Sequence, residues 1–365
     1  MITHIKIKNF KSIKRASVDV QSLNVLMGLN GMGKSSFLQM LLLLLQSDKL
    51  EERVIDLNGT LVQIGQGKDA LYQFAEEDQI EFGIHFNNEK EFNWKFDYHT
   101  DKDKLTAANG YKNSDMVYFR DQTNFFQYIN AERIGPRDWY ESSSVAVSDK
   151  KQLGLLGEYA AYFINVFGAE HEVNKSVRHP KGKSESLNSQ INAWLKEISP
   201  GISLNTKYIP EVNKVILDYQ FDIIGNKTNS FRPKNVGFGI SYVLPIILAL
   251  LTVQEGKIII IENPESHIHP RGQAELGKLI ALAAQSKAQI FIETHSDHIL
   301  NGIRVAVKEQ LIEKSKVKVL YFDKNTNEKE SYTKINTIRI DQNGTLSDYP
   351  ENLLDEWSTQ LAKLL

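Results

Sequence analysis

The sequence predicts an α/β fold with a mostly parallel core sheet, an added antiparallel β lobe and a helical lobe. Three patterns lead to this prediction. Near the start of the chain, an apolar strand passes through a glycine-rich loop into a helix. After position 79, two stretches alternate apolar and polar residues as an antiparallel hairpin does. After position 240, short apolar strands alternate with helices, which is typical of a parallel sheet.

The composition narrows the class of protein. The chain of 365 residues contains no cysteine, which excludes disulfides, thiol nucleophiles and cysteine-bound zinc and favours a cytoplasmic protein. Its 43 Lys and Arg against 45 Asp and Glu argue against binding nucleic acid through overall charge, although a local basic patch stays open as an alternative. The longest apolar stretch, 242–251, is interrupted by Pro245 and is shorter than the roughly 20 residues of a membrane span. No membrane partner is therefore expected.

The N-terminal half is predicted to be rich in strands. Short strands are expected at 2–10, 17–20 and 23–27, followed by a helix over about 34–46 whose apolar residues recur with helical spacing. Residues 79–98 alternate apolar and polar side chains on both sides of an Asn-Asn turn, which predicts a hairpin with one buried face. The segments 116–119 and 126–129 are predicted to be two further strands.

The C-terminal half is predicted to alternate helices and strands. Residues 153–198 favour helices interrupted by the polar stretch 174–189, and strands are expected at 202–208 and 214–222. Helices at 241–253, 272–285 and 297–313 then alternate with apolar strands at 257–261, 289–293 and 317–322. An amphipathic helix is expected at 353–365.

The glycine-rich loop from Gly28 to Ser35 matches the pattern G-x-x-x-x-G-K-S/T in full. Glycines allow the backbone to pass close to phosphate groups with its N–H groups turned inward. Lys34 would place its ammonium beside the β- and γ-phosphates, and Ser35 would offer its hydroxyl to Mg²⁺. The helix that begins here directs its positive end at the same charge. The loop therefore predicts binding of ATP together with Mg²⁺.

Two later strands are predicted to end in chemically active residues. The strand at 257–261 runs into Glu262 and Glu265, whose carboxylates can hold Mg²⁺ directly or through water. The strand at 289–293 leads to His295, which we expect beside the acidic strand end and in contact with the γ-phosphate. A zinc site is an alternative interpretation, because four histidines cluster in this region: His267, His269, His295 and His298.

Five segments, in this order, resemble the motifs of ABC-type ATPase heads of the SMC/recombination-repair class. The resemblance is closest to stand-alone ATPases related to the overcoming-lysogenization-defect family, many of which belong to bacterial anti-phage systems. The matching segments are spread over the whole chain: IKIKNFKS at 5–12, the loop at 28–36, NVGFGIS at 235–241, IENPESHIHP at 261–270 and ETHS at 293–296.

The resemblance implies a role for each motif. Glu262 corresponds to the Walker B acid, Asn263 to the position where many relatives carry the catalytic glutamate, and His295 to the switch histidine. Residues 266–270 correspond to the D-loop, and 237–241 to a divergent signature motif that in relatives closes over the other subunit's ATP. The implied nucleotide-binding residues are Asn30, Gly31, Gly33, Lys34, Ser35, Ser36, Gly237, Gly239 and Ser241. The implied Mg²⁺ ligands are Ser35, Glu262 and Gln66, with Gln63 as an alternative to Gln66 for the Q-loop glutamine.

The resemblance also implies a domain organisation. One ABC-type head of the P-loop NTPase fold would fill residues 1–365, with its nucleotide core at about 1–46 and 235–325. An antiparallel β lobe at about 60–140, a helical or partner lobe at about 150–234 and a C-terminal cap at 326–365 would complete it. Only 70 residues follow His295, too few for the nuclease domain that relatives of the overcoming-lysogenization-defect type carry.

One departure from the family pattern bears on hydrolysis. Asn263 can orient a water molecule but cannot accept its proton, so we expect slow ATP hydrolysis, with Glu262 or Glu265 as alternative bases. The expected function is an ATPase whose nucleotide-closed homodimer, or higher oligomer, is a switch that controls a separate effector in anti-phage defence. The alternative is a DNA-repair or recombination head that binds DNA directly, for which the basic segments 132–137 and 175–183 are candidate contacts.

Overall fold

The computed structural model describes residues 1–47, 53–87, 89–108, 112–123, 126–354 and 356–364. These residues form two compact units. The first unit contains residues 1–126, 314–341 and 346–365, and the second contains residues 127–313 and 342–345. Within the described ranges, no helix combines the length and the apolar character that crossing a membrane requires.

The strands begin and end close to the predicted positions in most of the chain. They are β1 (Ile2–Phe10), β2 (Ile13–Asp19), β3 (Leu23–Met27), β4 (Val54–Asp56), β5 (Gln79–Phe86), β6 (Glu91–Asp97), β7 (Lys104–Ala107), β8 (Phe126–Ile129), β9 (Tyr140–Glu141), β10 (Ile202–Ile209), β11 (Lys214–Ile223), β12 (Asn226–Lys227), β13 (Ile258–Glu262), β14 (Gln289–Glu293), β15 (Val317–Thr326) and β16 (Ser331–Ile338).

The α-helices separate these strands mainly in the second half of the chain. They are α1 (Lys34–Gln46), α2 (Gly67–Ala70), α3 (Asn113–Thr123), α4 (Ala160–Phe167), α5 (Leu187–Ile198), α6 (Phe238–Leu251), α7 (Pro270–Gln285), α8 (Asp297–Lys308) and α9 (Glu356–Leu364). The predicted C-terminal helix corresponds to α9, and residues 355 and 365 of that prediction lie outside the described residues.

The first unit contains an antiparallel sheet in the strand order β2-β1-β5-β6-β7-β4. Ile5, Ile7 and Phe82 are buried on one face of β1 and β5, because successive side chains of a strand point to opposite faces. β5 and β6 pair with Ile84 opposite Phe92. The hairpin predicted for residues 79–98 is therefore confirmed.

A second group of strands in the first unit carries the glycine-rich loop. β3 pairs in parallel with β15, with Leu23 opposite Val317, and β15 pairs antiparallel with β16. Every residue of β3 is buried, and the chain passes from Met27 directly into the loop and α1. Two strands from the C-terminal part of the chain are thus built into the unit that holds the loop.

The second unit contains a parallel strand pair and a small antiparallel sheet. β13 and β14 run in parallel with Glu262 opposite Glu293, and β13 lies between β14 and β8. β10 and β11 pair antiparallel, and both β9 and β12 pair with β11. Because β13 and β14 end at the same edge, the polar residues that follow them come together, as the sequence predicted.

The segment 116–119 is helical and lies within α3, so the strand predicted there is wrong. Met116 and Phe119 are fully buried, whereas Val117 is 43% exposed. Burial at positions i and i+3 fits one face of a helix, because residues three apart lie on the same side. The short run of apolar residues did not distinguish this helical spacing from a strand.

Candidate functional site

The glycine-rich loop has the backbone conformation that close approach to an anion requires. Gly28, Gly31 and Gly33 have φ angles of 137°, 76° and 101°, in a region that residues with a Cβ rarely adopt. Gly33 is the N-cap residue of α1 and has no side chain with which to cap the helix. The first N–H groups of α1 are therefore suited to a phosphate ligand, which the positive end of the helix also favours.

Lys34 lies inside the loop. Its ammonium donates hydrogen bonds to the carbonyl oxygens of Gly28, at 2.8 Å, and Leu29, at 2.9 Å. The residue is only 3% exposed, so its positive charge is concentrated at the centre of the loop. This charge and the N–H groups at the start of α1 together fit a nucleotide's phosphate groups.

The other loop residues predicted to bind nucleotide differ in exposure. Asn30, Gly31 and Ser35 are exposed, and Ser36 is buried. Gln66 is the N-cap residue of α2, where its N–H donates to the Asp69 carboxylate and its side-chain amide donates to Asp101 O at 3.4 Å. The Gln66 amide therefore has a local partner, and its role as a Mg²⁺ ligand stays a prediction.

Glu262, the last residue of β13, is held by two donors from β8 and the turn that follows it. The Tyr128 hydroxyl donates to Oε1 at 2.9 Å, and the Ala131 N–H donates to Oε2 at 3.3 Å. Burial raises the pKa of Glu262, and burial together with the neighbouring Glu262 raises the pKa of Tyr128. Because a carboxylate offers about four acceptor positions, Glu262 keeps capacity for a metal ion or a water molecule.

Glu265 connects the acidic strand end to the loop after β14. The Thr294 hydroxyl donates to Glu265 Oε2 at 2.7 Å, and the His295 N–H donates to Oε1 at 2.9 Å. Both carboxylate oxygens thus position the segment that carries His295, whose side chain is exposed. The predicted proximity of His295 to the acidic strand end is confirmed, and Glu265 is the direct link.

Asn263 has a backbone conformation that its residue type tolerates. Its φ angle is 46°, in the left-handed region that asparagine visits more readily than most residues. Its N–H donates to Glu293 O at 2.8 Å. The Arg133 guanidinium donates to Glu262 O at 2.6 Å and to Asn263 O at 2.7 Å. Both the N–H and the carbonyl oxygen of Asn263 are therefore hydrogen-bonded, which fixes the position of its backbone.

Arg133 makes contacts that the sequence did not predict. It is 2% exposed, donates additionally to Asn130 O, and lies 5.3 Å from the ring centroid of Tyr242 in α6. Burial lowers its pKa to about 10. The sequence places this arginine in a segment that is a candidate DNA contact, whereas its hydrogen bonds go to backbone carbonyls. Tyr128 was also missed, because no local pattern places β8 beside β13.

The glycine-rich start of α6 borders an open cavity of about 330 Å³. The cavity is lined by residues 237–240, by 267–269 of the following loop and by 198–199. A Cβ at Gly239 would lie 2.1 Å from His267 O, so only glycine fits there. Phe238 is 47% exposed. Ser241 is buried beside Tyr140 and Tyr219 and does not line the cavity, so backbone groups rather than its hydroxyl border this space.

The clustered histidines have structural contacts. The His267 ring packs against the rings of Phe238 and Tyr242, with centroids 5.0 and 4.8 Å apart, and His269 Nδ1 accepts a hydrogen bond from the Arg271 N–H. In the part of the chain that the structure describes, no group of three or more His, Asp or Glu residues is arranged to hold a metal ion. The structure thus offers the zinc interpretation no support.

Two of the four cationic residues of the basic segment 175–183, Arg178 and Lys181, form ion pairs within the second unit. Arg178 contacts Glu185, and Lys181 lies 3.0 Å from Glu197, which also accepts from His179 at 3.3 Å. These acids offset part of the positive charge that made the segment a candidate for nucleic-acid binding.

The glycine-rich loop leads into the N terminus of α1, and the parallel strands β13 and β14 end in carboxylates. These features define a P-loop ATPase of ABC type. Residues 23–301 match the family described as AAA domain, putative AbiEii toxin, Type IV TA system. This match covers most of the chain, and the chain therefore belongs to that family. Residues 312–364 match a second family, DUF3696, described as a protein of unknown function. A comparison with curated proteins finds no match.

Solved structures show the same fold at low sequence identity. The SMC head bound to the C-winged helix domain of ScpA is similar with a TM-score of 0.56 and 13% identity, over 93% of this chain and 98% of that one. The SMC head domain with an extended coiled coil from Pyrococcus furiosus, bound to the C-terminal domain of ScpA, has a TM-score of 0.52 and 12% identity, over 100% of this chain and 99% of that one. The fold is thus that of an SMC-like ATPase head.

Proposed function

We propose that this protein is an ATP-driven switch whose two copies close around nucleotide and control a separate effector. Gly31, Gly33 and Lys34 bind the phosphates in this proposal, with Asn30 and Ser36 supporting the loop. Ser35 and Glu262 are the proposed Mg²⁺ ligands, and Gln66 is a further candidate. The proposal keeps one head over residues 1–365, with a nucleotide core at about 1–46 and 235–325, a β lobe at about 60–140, a helical lobe at about 150–234 and a C-terminal cap at 326–365.

The observation that carries the dimeric proposal is the cavity at the start of α6. Gly237 and Gly239 leave backbone N–H groups at the N terminus of a 14-residue helix, where the helix favours negative charge. The cavity is open and has glycine backbone on its border. In the ATPase heads that the motifs resemble, this position closes over the γ-phosphate of the other subunit's ATP. We therefore assign Gly237 and Gly239 to the partner's nucleotide.

The acidic strand end supports slow hydrolysis in this proposal. Asn263 orients the attacking water, and His295 contacts the γ-phosphate and responds to its loss. Glu262 and Glu265 are alternative acceptors for the proton of the water, since a base must come within about 3 Å of it. Both carboxylates accept two hydrogen bonds, but burial raises the pKa of Glu262, which favours Glu262 as the proton acceptor.

Nucleotide-dependent association tests the dimer directly. Sedimentation velocity with the non-hydrolysable analogue AMPPNP and Mg²⁺ is expected to shift the protein from monomer to dimer. ADP with Mg²⁺ is the matched control, because it lacks the γ-phosphate that the glycine-rich start of α6 would bind. If AMPPNP saturates the protein without any change in sedimentation, the closed-dimer proposal is wrong.

A separate partner distinguishes the switch from a DNA-binding head. The proposal expects co-purification with a protein encoded beside this chain, such as a nuclease or a toxin, in a manner that changes with bound nucleotide. The paired charges of segment 175–183 give no support to direct DNA binding. Hydrolysis stimulated severalfold by DNA alone, with no partner present, would instead favour the repair or recombination alternative.

Replacing Asn263 with glutamate is expected to raise the rate of ATP hydrolysis by roughly 10- to 100-fold, because a positioned carboxylate can accept the proton of the water. The left-handed backbone at this position costs a glutamate about 1–2 kcal/mol, so the melting temperature should fall slightly. Steady-state phosphate release measures the effect. Asn263→Gln is the control, since it matches the length of glutamate but accepts no proton. Equal rates in the two variants would contradict the placement of Asn263 beside the water.

A further inference from the structure

The glycine-rich loop is in direct contact with the hairpin formed by β15 and β16, which we name the C-terminal hairpin (residues 317–338). A Cβ at Gly28 would lie 2.2 Å from Phe322 O, and a Cβ at Gly33 would lie 2.2 Å from Thr333 Oγ1. Proximity of this hairpin, as well as positive φ, therefore requires glycine at both positions. The hairpin belongs to the segment that matches the family of unknown function.

Thr333 makes the polar contact between the hairpin and the loop. Its hydroxyl donates to Met32 O at 2.9 Å and lies 2.9 Å from the Ser12 hydroxyl. Its N–H donates to Ser12 O at 2.8 Å. Because a hydroxyl has one proton and the Met32 carbonyl can only accept, the Ser12 hydroxyl is the donor in the contact with Thr333. The Thr333 residue is 2% exposed, so water does not compete for this bond.

This bond determines the orientation of one loop peptide. The Met32–Gly33 peptide is trans, so the Met32 carbonyl and the Gly33 N–H point in opposite directions. When Thr333 holds the carbonyl, the N–H of Gly33 is turned away from the hairpin. Gly33 is the N-cap residue of α1, the position where inward N–H groups meet a phosphate.

We infer that Thr333 is a positioning residue of the nucleotide site and that the C-terminal hairpin exists, in part, to preorganise the phosphate-binding loop. The inference rests on nucleotide binding at this loop. It gives the segment of unknown function a role within the ATPase itself. Since preorganisation lowers the cost of ordering a site on binding, loss of the Thr333 hydroxyl weakens nucleotide binding without removing any group that touches the nucleotide.

The turn of the hairpin is anchored so that Thr333 stays in place. The ammonium of Lys14 donates to both carboxylate oxygens of Glu330 at 2.8 Å. The Tyr72 hydroxyl shares its one proton between Glu330 Oε2, at 3.2 Å, and Ser331 O, at 3.3 Å. Burial, followed by the charge of Glu330, raises the pKa of Tyr72 to about 12. The hairpin is thereby tied to the β1–β2 hairpin, which also supplies Ser12.

The test is the affinity for fluorescent mant-ADP in Thr333→Val, which keeps the branched shape and removes the hydroxyl. We expect binding about tenfold weaker, equivalent to about 1.4 kcal/mol, the loss typical of one buried hydrogen bond. Thr333→Ser restores a hydroxyl and is expected to bind within about threefold of the unaltered protein. Thr337→Val is the matched control, because Thr337 lies exposed on the same strand and its replacement should leave affinity unchanged.

Melting temperatures without nucleotide separate positioning from general stability. A positioning role of Thr333 predicts that the Thr333→Val variant binds mant-ADP more weakly at temperatures well below its melting temperature, while the Thr333→Ser variant regains the affinity. Equal mant-ADP affinity in all three variants and the unaltered protein would overturn the inference and leave nucleotide binding intact. Absence of mant-ADP binding in the unaltered protein would instead overturn the nucleotide site itself. If Thr333→Val does not fold, recovery of folding but not of affinity in Thr333→Ser also contradicts the positioning role.

Discussion

Replacing Lys34 with methionine is expected to weaken ATP binding at least about 100-fold, which corresponds to about 2.8 kcal/mol. The ammonium lies buried inside the glycine-rich loop and donates to the carbonyl oxygens of Gly28 and Leu29, so its positive charge lies beside the backbone that would receive phosphate. Methionine has a similar length and no charge, so it fills the space without attracting the anion. Isothermal titration calorimetry with ATP and Mg²⁺ measures the loss.

Lys334→Met is the matched control for this prediction. Lys334 lies exposed on β16 in the same unit, so its replacement removes one positive charge without touching the loop. Its ATP affinity should stay within about twofold of the unaltered protein. If the Lys34 variant is folded by circular dichroism and still binds ATP normally, the loop is not the nucleotide site, and the dimer that depends on it is ruled out as well.

Replacing Glu262 with glutamine is expected to slow ATP hydrolysis at least about 100-fold while ATP binding persists, because a ligand of the metal or an acceptor of the proton is lost. The same change should not lower the melting temperature. Glutamine can still accept from the Ala131 N–H through its oxygen, and its amide can donate to the Tyr128 oxygen. Single-turnover hydrolysis and thermal melting, measured side by side, test both parts.

The free energy of unfolding should also depend differently on pH in the unaltered protein and in the Glu262→Gln variant. Burial raises the pKa of Glu262 above its ordinary 4.5, so between that value and the raised pKa the folded state binds more protons than the unfolded state. Stability therefore falls as pH rises through this window. The glutamine variant lacks this contribution, so its advantage in melting temperature should grow with pH above 4.5. A difference that shrinks as pH rises would show that Glu262 is stabilised as a carboxylate in the folded protein.

Local sequence patterns predicted much of the fold. The helix at 34–46 and the strand at 289–293 coincide with α1 and β14, because each has an unbroken apolar periodicity and clear boundaries. The hairpin at 79–98 followed from strict alternation over both strands. The strand prediction for residues 116–119 was wrong, since four residues are too few to distinguish burial at every second position from burial at every third.

The candidate site was predictable to the extent that its chemistry lies in contiguous motifs. The loop from Gly28 to Ser35 and the strand end at Glu262 are both read directly from consecutive residues. The parallel pairing of β13 and β14 then brings His295 near Glu262 through Glu265, as expected for neighbouring strands. The local part of this site depends on residue type and backbone conformation at consecutive positions, and the pairing of the two parallel strands supplies the rest.

Other features of the site depend on residues that are distant in sequence. Tyr128 and Arg133 reach Glu262 from about 130 residues away, and Thr333 reaches Met32 from about 300 residues away. No periodicity encodes these contacts, since each requires two segments that are distant in sequence to pack side by side before its hydrogen bond can form.

The ordered motifs by themselves predict an α/β fold with a phosphate-binding loop, because these features depend on residue types at fixed local spacing, and the resemblance of the motifs implies an ATPase head. Tertiary packing alone decides that Arg133 binds backbone carbonyls, that Ser241 is buried away from the cavity at the start of α6, and that a C-terminal hairpin orients the loop. The reason is physical. Burial and long-range hydrogen bonds determine which groups of a side chain stay available to a ligand, and both are properties of the packed chain.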